Sequence, residues 1–109
     1  MTLKSTVVSD SPTLIYRSTG CSAVTTIYIC NASSSTIHFN IYAVPTPASP
    51  GTTNLIYHQV PLHCNDTYVM DTEKLVLENL DALYAVVIVP PGEIIANHSV
   101  IATVSAIGV

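Results

Sequence analysis

The chain has 109 residues, 49% of them hydrophobic and 9% charged, against roughly 25% charged in an ordinary soluble domain. That length suits a single domain with one core. With a net charge of −4, and Lys4, Arg17 and Lys74 as its only Lys and Arg, the chain lacks the basic patch that phosphate neutralisation needs. Nucleic acid is therefore not an expected partner. The longest apolar run, Ala82 to Pro91, is about half a transmembrane span, so no membrane is expected either. The opening MTLKSTVVSDSP has no continuous apolar stretch of the secretory kind. Three basic and seven acidic groups are thin cover for the roughly 5,800 Å² a monomer of this mass exposes. Ser, Thr and Asn must solvate the exterior, or other subunits must cover part of it.

Period-two patterning runs through the chain and helical periodicity is nearly absent. KSTVVS and TLIYRS read as N-terminal strands, within residues 1–20 that either join the domain or form an arm packing on it or on a neighbour. VTTIYICN carries apolar groups on both faces, as a central strand covered on each side would. The polar NASSS has hairpin length, which predicts that the strand after it pairs with VTTIYICN. That strand, TIHFNIYAV, places Ile37, Phe39, Ile41 and Ala43 on one face and His38, Asn40 and Tyr42 on the other, the signature of a half-buried strand.

VPTPASPGT cannot be a strand interior, because proline lacks the ladder donor, and reads as an exposed, semi-rigid loop. NLIYHQVPL is the next strand, ended by Pro61, and HCND turns into TYVMD. EKLVLENLD gives a short strand, with a helical turn at DTEK as the alternative. ALYAVVIV is apolar on both faces and so central, PPGEIIANH is a connection, and SVIATVSAIGV is the last strand. Eight to nine short strands at regular spacing predict an all-β fold, a single antiparallel sandwich of jelly-roll type spanning residues 1–109.

Little in the sequence points to catalysis. Cys21, Cys30 and Cys64 are odd in number and lack a CxxC spacing, which predicts free thiols rather than a disulfide framework. His58, His63 and Cys64 are the nearest approach to a metal cluster, yet their spacing fits no zinc pattern, and no metal or other cofactor is expected. Asp66, Asp71, Glu73, Glu78 and Asp81 cluster in one segment, where flanking turns and keeping strand edges soluble explains them better than acid–base work. No nucleophile elbow, HExxH or phosphate-binding glycine loop is present, so the sequence predicts no enzyme. Sequons begin at Asn31, Asn65 and Asn97 and read as turn residues.

The six tyrosines fit sheet packing or interface anchoring, since the ring is apolar and its tip polar. Tyr42 is the most informative, lying opposite the Ile37/Phe39/Ile41 face. With His38 beside it, Tyr57 on the next strand, and Pro47 and Pro50 in the loop between, it makes up the candidate interface set.

The order TTIYICN, polar turn, FNIYAVP, Pro/Gly-rich loop, NLIYHQVPL, NDTYVMDTEKLVLEN resembles a family of small virion structural proteins of tailed bacteriophages, best represented in phages of cyanobacteria. The similarity runs from about Thr25 to VIATVSAIGV, some three quarters of the chain. Each motif is only strand plus turn, so the specificity lies in their order. Family members commonly carry a glycine-aspartate turn after the KLVLEN strand, where this chain has Leu80-Asp81. The resemblance implies a non-enzymatic β-sandwich module, made in the host cytoplasm and located on the virion. It would decorate or reinforce the capsid or neck as a symmetric homo-oligomer, a trimer being one form, bound to other virion proteins. A tail or baseplate adaptor, a fibre-attachment module and a receptor- or carbohydrate-binding sandwich are the alternatives.

Overall fold

Runs of Val, Ile, Thr and Tyr alternate inward and outward because successive side chains of a pleated strand point to opposite faces. In the computed structural model, which describes residues 2–71, 75–88 and 100–108, they form nine strands, within the expected eight to nine. These are β1 (Thr2–Val7), β2 (Thr13–Arg17), β3 (Ser22–Asn31), β4 (Ile37–Val44), β5 (Leu55–Leu62), β6 (Asp66–Met70), β7 (Leu75–Leu77), β8 (Ala82–Ile88) and β9 (Val100–Gly108). Most of the DTEK segment and all of PPGEIIANH fall on residues 72–74 and 89–99, outside the described residues.

The strands make two antiparallel sheets. One runs β1-β9-β3-β6, with β7 also on β3; the other runs β2-β8-β4-β5. β6 pairs with Ile27–Asn31 and β7 with Ser22–Val24, so the two lie end to end along one edge of β3. With the short β7 set aside, this interleaving of early and late strands in two four-stranded layers is the jelly-roll arrangement. Residues 1–20 are not an arm: β1 is an edge strand of one sheet on β9, and β2 an edge strand of the other on β8.

The core lies between the layers. Ile37, Phe39 and Ile41 are buried on β4, against Ile27 and Ile29 of β3, Leu83 and Val87 of β8 and Val104 of β9. Each such side chain contributes about 1.5–3 kcal/mol through burial. β8 is central as expected, between β2 and β4. β3 is also central, with partners on both edges, but its outer face is not covered, and Tyr28 on that face is exposed.

The expected hairpin across NASSS does not form. β3 and β4 belong to different sheets, so the loop is a crossover between layers. Asn31 is the physical reason. Its fully buried side chain donates from Nδ2 to the carbonyls of Ser35 (2.9 Å), Leu62 (3.1 Å) and His63 (3.2 Å). Its Oδ1 accepts from the Ser33 amide (3.0 Å) and hydroxyl (2.6 Å). One side chain thus ties the β3–β4 crossover to the β5–β6 crossover beside it. The sequon at Asn31 acts as a turn element, as expected.

Pro61 does not end β5, which continues to Leu62. β5 is an edge strand, where a missing amide costs no ladder bond. Two register irregularities bulge β5 against β4. Gln59 there takes a positive φ of 49°, and the Asn40 Oδ1 accepts its amide at 2.6 Å. At the other end of the molecule, Leu80 takes a φ of 69°, the left-handed conformation that glycine adopts most readily. The Leu80-Asp81 turn is locked regardless. The Asp81 carboxylate accepts from the amides of Thr46 and Glu78 (both 3.0 Å), and Thr46 Oγ1 donates to the Leu80 carbonyl (2.8 Å).

Candidate functional site

The candidate interface residues fall in three places. His38 and Tyr42 lie half-buried on the outer face of the four-stranded sheet, four residues apart on β4. Tyr42 stands opposite Tyr84, whose hydroxyl accepts from Arg17 Nη2 at 3.2 Å. Pro47 and Pro50 lie on the loop beyond the far end of β4, with Pro47 exposed and Pro50 half-buried. Tyr57 lies apart from these, partly buried and packed on the core between the layers. The bulges shift the phase of β5, so that Tyr57 and Val60 both meet inward partners, Ile41 and Phe39. Tyr57 sits edge-to-face with Tyr68 (6.5 Å between ring centroids), which does the same with Phe39 (5.5 Å).

Beside Tyr57 an apolar cleft of about 360 Å³ opens at the edge of the sandwich, lined by Val24, Ile27, Ile56, Tyr57, Met70 and Leu75. It lies where β6 gives way to β7 along β3. Among the described residues its lining has no carboxylate, amine, imidazole or thiol, and the Tyr57 phenol is the one side chain there of a type used in acid–base or nucleophilic work.

The histidines do not converge. His58 is exposed on β5 and His63 in the turn after it, where Nδ1 lies 3.5 Å from Thr36 Oγ1. Among the described residues no three His, Cys, Asp or Glu gather as metal ligands; His98, Glu73 and Glu93 lie outside them. Cys21, Cys30 and Cys64 are free thiols. Of the acidic cluster, Asp81 holds its turn and Asp66 Oδ1 accepts the Thr67 amide at 2.9 Å.

Sequence reasoning missed the outer face of the five-stranded sheet. The register lines up Ser5, Thr103, Tyr28 and Val69 in one row across the strands, and Val7, Ile101, Cys30 and Thr67 in the next. Leu3 (71% exposed), Val76 (69%), Val69 (46%) and Tyr28 (40%) stand out into solvent, with Val7 and Ile107 also exposed. Within the paired strands no Asp, Glu, Lys or Arg lies on this face; Lys4 alternates to the opposite side of β1. Two pairs of its hydroxyls bond within the face: Ser5 Oγ with Thr103 Oγ1 at 2.9 Å, and Thr25 Oγ1 with Ser105 Oγ at 3.1 Å. The absence of charge from every second residue of β1, β3 and β9 was a readable signal.

Comparison with protein-family models, curated proteins and solved structures finds no match. Among the described residues no helix is long and apolar enough to cross a membrane.

Proposed function

We propose that the chain is a non-enzymatic structural subunit of a tailed-phage virion, acting by protein–protein contact on the capsid or neck. The observation that carries this reading is the uncharged, apolar outer face of the five-stranded sheet. Exposed apolar strands without charge favour association, and a subunit that repeats on a particle buries such surface against neighbours. The jelly-roll strand order is compatible, since capsid domains use it, but so do lectins, and a fold alone does not assign a function. The motif order that resembles the phage family adds the placement on a virion. Docking on the tail or baseplate uses the same physics at another position.

A carbohydrate-binding jelly roll is less well supported. Among the described residues the cleft is lined by Val, Ile and Leu side chains with Met70 and a single phenol, Tyr57, and sugar hydroxyls need convergent polar groups. Electron cryo-microscopy of phage particles carrying this gene product tests the proposal. Repeated density fitting the two-layer sandwich on capsid, neck or tail is expected. Particles that lack the protein, with specific glycan binding by the soluble chain, would overturn it.

A further inference from the structure

We propose that the outer face of the five-stranded sheet is where a second copy of this chain docks, the two sheets packing face to face across a two-fold axis. The inference rests on the proposed role as a subunit that assembles by contact, and names the surface and its occupant.

Area is the first argument. The face is four strands wide, β1-β9-β3-β6, or about 19 Å at 4.8 Å per strand. Its strands β1, β9, β3, β6 and β7 hold six, nine, ten, five and three residues, which at about 3.3 Å per residue gives roughly 500 Å². Two such faces reach about 1,000 Å², the least a biological interface needs, and sheets pack this way in sandwiches at about 10 Å. Charge is the second. In an isologous contact a patch meets itself, so a charged face would oppose like with like. The chain carries a net charge of −4, yet none of the outward-facing residues paired within β1, β9, β3, β6 and β7 is Asp, Glu, Lys or Arg. A charged partner would find no counter-charge on these paired strands. The third is desolvation: the Ser5–Thr103 and Thr25–Ser105 hydroxyls already bond each other, so burying them orphans neither pair. The outer face of the other sheet offers less, with Arg17 exposed at its edge and its apolar groups half-buried.

Analytical ultracentrifugation of the full chain tests the pairing. The expected species has twice the 11.6 kDa chain mass. Tyr28→Lys, a charge at the centre of the face on an already exposed side chain, should weaken the dimer by about 100-fold or more and leave the far-ultraviolet circular dichroism unchanged. Lys4→Glu, beside the face but directed away from it, should leave the dimer intact, which separates face packing from pairing of β1 edges. If Tyr28→Lys fails to fold, Val76→Lys on the exposed β7 takes its place with the same expectation. A monomer at millimolar concentration, a species of three chain masses, or a dimer that survives both substitutions would overturn the inference. A monomer that still binds purified capsids or tails would sink the pairing and spare the proposed function. A dimer that binds neither would do the reverse.

Discussion

Replacing Asn31 by alanine removes a fully buried side chain that bonds two crossovers between the layers to each other. An amide nitrogen carries two protons, so its contacts with the Ser35, Leu62 and His63 carbonyls amount to about two full bonds, one of them shared. Two accepted bonds from Ser33 bring the total to about four. At about 1 kcal/mol net each the loss would approach 4 kcal/mol. Ser35 is only half-buried and His63 is exposed, so water recovers part of it, and about 3 kcal/mol remains. An unfolding entropy of about 2.1 cal/mol/K per residue makes that a fall of roughly 13 °C in Tm. Thermal circular dichroism, with urea unfolding to check that the m-value holds, measures it directly.

Asn31→Asp sharpens the test. It keeps the acceptor for Ser33 but aims a carboxylate at carbonyl oxygens inside the fold, which raises the folded-state pKa above the ordinary aspartate value. The folded state then binds more protons than the unfolded one, so stability falls as pH rises from about 4 through the raised pKa. Asn31→Asp should therefore be less stable than Asn31→Ala at neutral pH and regain stability on acidification. An Asn31→Ala protein melting within about 3 °C of wild type would refute the role of this side chain.

Leu80→Gly should raise stability by about 0.5 kcal/mol, because relief of the left-handed leucine outweighs the added freedom of the unfolded chain. Leu80→Val should lower it, and the order of the two melting temperatures is the readout. Ile41→Asp places an unpaired charge in the core and should cost several kcal/mol; a soluble variant with unchanged cooperative melting would contradict the core assignment. His38→Ser, on the outer face of the same strand, should stay within about 0.5 kcal/mol of wild type in urea. Replacing His58, His63 and Cys64 together by Ser or Ala, or adding a strong chelator, should leave melting unchanged. Stoichiometric zinc by elemental analysis with a chelator-induced fall in Tm would overturn the proposed metal-free structural role.

Strand positions were legible in the sequence and strand partners were not. The alternation of Ile37, Phe39 and Ile41 is a local property that survives into the structure because β4 runs in regular register against β8. A five-residue polar loop, by contrast, can turn within a sheet or cross between two. What decides is the bonding of Asn31 to Leu62 and His63, some thirty residues away. The facing of Tyr57 was not legible, because the bulges of β5 reset which of its residues point inward. The uncharged outer face of β1, β9 and β3 was written in the sequence too, but it becomes one surface only once the first and last strands are known to be neighbours.

That adjacency has a consequence for biosynthesis. β9 lies between β1 and β3, so the sheet begun by Thr2–Val7 cannot close until Val100–Gly108 has left the ribosome. At about 5–20 residues per second, the early strands wait several seconds or more for their partner. Among the described residues only β4 and β5 form a hairpin that could assemble locally, since the other pairings join strands distant in sequence. Folding dominated by distant pairings is slow, and this chain has few charges to keep its unpaired strands apart meanwhile. Chaperone demand should be high during expression, and truncations within β9 should yield inclusion bodies rather than a smaller folded domain.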